Sequence, residues 1–71
     1  MTDTTTRDPR VDPRPGDVLR VTDAMGLVFE RSVGYATGGI VEWVSGRIVY
    51  AGSLKQWRAW NATAEIGTVA E

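Results

Sequence analysis

The side chains in this chain best suited to chemistry are arginines set among aromatic rings. Arg58 lies between Trp57 and Trp60, and Arg31 and Arg47 fall near Phe29, Tyr35, Trp43 and Tyr50. Guanidinium groups beside indole and phenol rings suit two tasks. They are the anchors of protein–protein interfaces, and on small barrels such rings stack bases while the arginines pair with phosphates. Two more arginines, Arg10 and Arg14, close a twice-used Asp-Pro-Arg tripeptide near the N-terminus, where they could dock a peptide arm on a partner. The charge balance favours protein over nucleic acid. Eight basic residues stand against nine acidic ones, a net charge of −1, with no basic excess to steer a polyanion.

Other chemistries find less support. The chain has no histidine and no cysteine, which removes the commonest general base, the commonest nucleophile and the usual zinc ligands. Ser32, Ser45 and Ser53 lack an activating neighbour in the sequence, and Glu30 and Glu42 read as a solvated sheet face. Gly38-Gly39 leads into a strand with no Lys-Ser or Lys-Thr behind it, so it is a turn and not a phosphate cradle. Asn61-Ala62-Thr63 matches a glycosylation acceptor but falls inside a predicted helix. The expectation is a non-enzymatic protein with no catalytic residue, metal or cofactor, whose candidate binding residues are Arg31, Arg47, Arg58, Trp60, Arg10 and Arg14.

The elements that must position these residues centre on residues 39–65, which hold all three tryptophans. Ser45-Gly46 can make a two-residue hairpin turn, or residues 44–47 a four-residue one. With the shorter turn Trp43 faces Ile48 and Val41 faces Tyr50, so one sheet face collects Val41, Trp43, Ile48 and Tyr50. A helix then starts at Ser53, a suitable N-cap with Gln56 three residues on, and places Leu54, Trp57, Asn61 and Ala64 on one face with Trp60 at its flank. Gly67 is the expected stop. Trp57 reads as core and Trp60 as half exposed.

Upstream, Pro15-Gly16-Asp17 launches a strand over residues 18–22, and Asp23 to Gly26 turns the chain into a longer strand over residues 27–36. There Leu27, Phe29, Val33 and Tyr35 share a face broken by Arg31. Either a β-bulge near Ser32 to Gly34 shifts the register, the preferred reading, or the arginine snorkels at the sheet edge. The fold expected is α+β: a four-stranded antiparallel meander, or a small half-open barrel, with one C-terminal helix packed on it. Residues 1–16 are read as a flexible Pro/Asp/Arg-rich arm and residues 17–71 as one domain. So small a core draws stability from its aromatics or from self-association, so a homodimer through an edge strand or the far sheet face is expected as one route. No stretch has membrane-spanning length and no secretion signal is present, which fits the cytoplasm.

The segment from Arg14 through Pro15-Gly16-Asp17-Val18-Leu19 to Arg20, followed later by Ser53-Leu54-Lys55-Gln56-Trp57-Arg58-Ala59-Trp60, resembles small accessory proteins of bacteriophages and prophages. Pro-Gly-Asp before a strand is also similar to small barrels of the Src-homology-three and translation-factor type. The phage resemblance implies a protein that works in the host cytoplasm by binding a host protein, for instance as an inhibitor of a bacterial defence system. It carries no active site across. The alternatives are a nucleotide or nucleic-acid binding module, including a sponge for a signalling nucleotide, or a virion assembly component.

Overall fold

The computed structural model describes residues 7–71 of the chain. Five strands and one helix follow in the order β1 (Val18–Thr22), β2 (Val28–Thr37), β3 (Ile40–Ser45), β4 (Ile48–Ser53), α1 (Leu54–Trp60) and β5 (Glu65–Thr68). The fold is α+β, and its one sheet is antiparallel with the strand order β4-β3-β2-β1-β5. The expected strand count is corrected here, and one of the two expected sheet forms is found. A fifth strand follows the helix and pairs with β1, and the sheet is open, with β4 and β5 as its edges. Of the two sheet forms expected, the antiparallel meander is found, extended by β5, and the sheet does not close into a barrel.

Turn chemistry sets the hairpins. Gly38 and Gly39 both take positive φ (59° and 79°), the requirement of a type I′ turn, and join β2 to β3. Between β3 and β4 the two turn residues are Gly46 and Arg47, with positive φ at Gly46 only (63°), the pattern of a II′ turn. The turn thus lies one residue later than expected, and Trp43 faces Tyr50 instead of Ile48. Each partner moves by two residues, and because side chains alternate with period two, every one keeps its expected face.

The bulge lies between Val33 and Tyr35, at Gly34. It falls after Arg31, so it leaves the arginine on the helix-facing side, opposite Leu19. What it does change is the phase beyond: Ala36 pairs with Val41 over the core, while Tyr35 turns to the far face beside Glu42 and is half exposed. Tyr35 is therefore not a companion of Phe29 and Val33, contrary to the sequence pattern.

The core consists of Leu19, Val33, Val41, Trp43, Trp57 and Ala64, with Leu54, Val21 and Ala36 packed at its margin. Trp43 is its centre. Its ring meets Trp57 edge-on at 5.0 Å, Trp60 edge-on at 5.8 Å and Tyr50 in a stack at 5.7 Å. The helix begins as expected, with the Ser53 hydroxyl accepting from the Gln56 backbone N–H at 3.1 Å. It ends earlier than expected, at Trp60. Asn61 caps it by donating from its side-chain amide to the Trp57 carbonyl at 2.8 Å, the acceptor its own backbone N–H also uses.

Residues 7–16 are laid down on the domain instead of forming a free arm; residues 1–6 of that expected arm lie outside the described residues. Pro9 and Pro13 are buried. The Trp57 indole N–H donates to the Pro9 carbonyl at 2.9 Å, and Arg58 Nε to the Val11 carbonyl at 2.9 Å. A fully buried carboxylate, Asp17, holds the other end. It accepts from both Arg7 Nη atoms, from the Arg14 backbone N–H at 2.8 Å and from the Ala70 backbone N–H at 2.7 Å. A polar segment can order in this way because a buried donor or acceptor left unpaired is costly.

Candidate functional site

Helix α1 is too short to cover the sheet. It lies over β3 and β4 and stops at Trp60, leaving the end of the sheet near the Gly46-Arg47 turn bare. Between Trp60 and that turn is an open cleft of about 500 Å³. Trp43, Tyr50, Trp60 and Phe29 form the aromatic part of its lining, Ile48 adds exposed aliphatic surface, and Arg31 and Arg47 bring the charge. No carboxylate lines it, so in a chain of net charge −1 this recess is locally cationic.

The two arginines are held differently. Arg31 is half-buried; its Nη1 donates to Asn61 Oδ1 at 2.7 Å and lies 3.5 Å from the Trp60 carbonyl. Burial lowers its pKa below the ordinary arginine value, with Tyr50 acting in the opposite direction, and it stays charged at neutral pH. Its head group thus closes the helix C-terminus, where a cation is favoured. Arg47 sits exposed in the turn and forms no ion pair among the described residues. Trp60 is half exposed, its inner edge on Trp43 and the rest open to the cleft.

Of the residues singled out in the sequence, the structure gathers Arg31, Arg47 and Trp60 around this cleft. Arg58, Arg10 and Arg14 are not brought to it. Arg58 points away to the Val11 carbonyl. Arg10 grips Asp8 at 3.0 Å through Nε and Nη2 and reaches the Ala64 carbonyl at 3.2 Å. The Arg10 side-chain hydrogen bonds to Asp8, with the Arg10 backbone N–H, lower the Asp8 pKa. Arg14 lies 3.8 Å from Asp12 on the surface. Arg58 and Arg10 thus tie the leading segment to the domain, while the Arg14 side chain stays within that segment.

The sequence places Asn61 on the helix face and Asp17 in a turn but does not reveal either as a buried polar anchor. Both are fully buried polar side chains, and one signal for Asn61 was available: a charge on an apolar strand face requires a polar partner, and an Asn just past a helix is a natural cap. Burial alone would raise the Asp17 pKa, but the Arg7 hydrogen bond and the Ala70 and Arg14 amides outweigh it and hold the carboxyl below its ordinary value. Among the described residues, no three His, Cys, Asp or Glu side chains gather as a metal site, and no helix is long and apolar enough to cross a membrane. Compared with protein-family models, curated proteins and solved structures, the chain matches none.

Proposed function

We propose that this protein is a non-enzymatic binding module whose cleft takes an extended segment of another protein, one carrying an acidic residue beside an aromatic or aliphatic one. The observation that carries this reading is the cleft itself: Arg31 and Arg47 beside exposed Phe29, Ile48 and Trp60, with no carboxylate in the lining. Trp and Arg are the residue types that dominate binding energy at interfaces. An unpaired guanidinium gives both a bidentate carboxylate grip and a choice of partner charge. Taken with the resemblance to bacteriophage accessory proteins, the partner is a host protein and the effect of binding is inhibition, of a defence system for example.

The test is titration with acidic–aromatic peptides, read through tryptophan emission, for the wild type, Arg47→Glu and Trp60→Ala. Binding that falls at least tenfold in both variants and weakens with salt supports the reading. Equal binding by all three proteins overturns it. A second reading, a nucleotide in the same cleft, draws on the stacked Trp43 and Tyr50 rings beside the two arginines. Quenching by mononucleotides or cyclic nucleotides, without peptide binding, would select it.

A further inference from the structure

We propose that β4 pairs with β4 of a second copy of this chain about a twofold axis, giving a dimer with one continuous ten-stranded sheet. The argument starts from the two edges of the sheet. β5 is guarded as edge strands usually are: it has four residues, opens on Glu65, faces a register irregularity at Val18/Leu19, and runs into a tail fastened to Asp17. β4 carries none of these guards. Its six residues, Ile48-Val49-Tyr50-Ala51-Gly52-Ser53, include no charge and no proline, and they pair with β3 in unbroken register. Among the described residues nothing pairs with its outer side.

The hydrogen-bond alternation says which backbone groups are free. The Leu54 N–H donates to the Gly39 carbonyl at 2.7 Å, so residues 39 and 54 are a bonded pair. In the alternating ladder, Val41/Gly52, Trp43/Tyr50 and Ser45/Ile48 are then bonded too. Val49 and Ala51 therefore aim their N–H and C=O outward. With the axis at Tyr50, Val49 of each copy meets the partner's Ala51 as a bonded pair, and Tyr50 meets the partner's Tyr50 as a close unbonded one. A strand without charge does not repel its own copy in this arrangement, so the edge complements itself.

Apolar burial on both faces accompanies the pairing. Val44 and Val49 on the far side, and Ile48 and Tyr50 on the helix side, are between 38 and 60 % exposed and flank the axis. Because Tyr50 lines the cleft, the partner's Tyr50 would extend its wall, and the two clefts would lie side by side. This holds whatever occupies the cleft.

Sedimentation equilibrium tests it. The wild type is expected at twice its 7.8 kDa chain mass. Val49→Pro removes an outward-facing N–H, which an edge strand tolerates, and is expected to be a folded monomer. Val49→Lys, which leaves the backbone intact and sets like charges near the axis, is expected to do the same should the proline variant unfold. In this cysteine-free chain, Y50C is expected to cross-link to its own copy on oxidation, since the paired Cα atoms stand about 4.5 Å apart, within disulfide range. The control M25C, in an exposed turn, is not. A wild type that stays monomeric at every concentration overturns the proposal, as does a dimer that survives both Val49 variants.

Discussion

Asp17→Asn should remove a large share of the stability of this fold, and do so in a pH-dependent way. The Asp17 side chain is fully buried, and its Arg7 partner is 12 % exposed. The carboxylate accepts from Arg7 and from the amides of Arg14 and Ala70, so one group holds the leading segment, β1 and the C-terminal tail together. Hydrogen bonds to a charged group each contribute roughly 1.5–3 kcal/mol. Their plain sum would rival the whole stability of a 71-residue chain, about 4–10 kcal/mol, so they cannot be additive. Breaking a buried ion pair from one side costs about 3–5 kcal/mol. Arg7 can recover some water here, and Asn keeps one acceptor, so the expected loss at neutral pH is about 3 kcal/mol.

The sign of the pH dependence follows from the lowered pKa of Asp17. Its stabilisation is complete above the unfolded carboxyl value, about 3.9, and is lost as pH falls through the lower folded value. Asp8 has a lowered pKa as well, but it is present in both proteins and cancels in the difference. Urea unfolding followed by tryptophan emission, at a series of pH values, measures this gap, since Trp43 and Trp57 are both buried. The gap should be widest near neutrality and close at acid pH. A variant within about 0.5 kcal/mol of wild type at pH 7, the range of an ordinary surface change, or a gap that ignores pH, refutes the reasoning.

Trp57→Phe leaves the Pro9 carbonyl without its buried donor. It should cost about 2 kcal/mol in thermal unfolding and speed tryptic cleavage after Arg10, since the bond after Arg14 leads into Pro15 and resists trypsin. Asn61→Ala removes both the cap on Trp57 and the acceptor for Arg31, and about 2 kcal/mol is expected to go with it. Arg47→Glu, at an exposed turn position, should change stability by less than about 0.5 kcal/mol while abolishing binding of acidic peptides.

How much of this was legible in the sequence depended on whether the determining contact was local. The meeting of Trp43 and Trp57 in a common core could be read from two short periodic stretches. The face assignment of the hairpin survived a misplaced turn, because Gly46 takes the first turn position and not the second, and a two-residue slip preserves alternation. The helix was overextended for a physical reason. Asn61 and Ala64 continue the helical spacing of Leu54 and Trp57, yet they are buried as a cap and as a core residue beyond a turn. β5 is short, contains glycine and finds its partner more than forty residues away in β1, so nothing nearby announces it. The leading segment looked free because prolines and arginines rarely signal burial. Its order comes from carbonyls offered to Trp57 and Arg58 and from one carboxylate, and a pattern of side-chain polarity does not reveal those.

Arg31 shows why the fold and the proposed site are not separable. Its guanidinium lies on the core side of β2, bonded to the cap that ends the helix, and it also lines the cleft. The stop at Asn61 leaves Trp60 as the last helical residue, standing over the bare end of the sheet; a helix carried further would have taken chain past the point where the cleft opens. The charge on an apolar face that first looked like a fault in the strand pattern thus fixes where the helix ends, and so where the cleft begins. A loss of binding on changing Arg31 would mix unfolding of this joint with loss of a ligand contact. Arg47 lies outward of it, exposed in the turn, so a change there tests the proposed recognition without touching the joint. Trp60, by contrast, is half exposed but packs edge-on against Trp43, and its removal also perturbs the core.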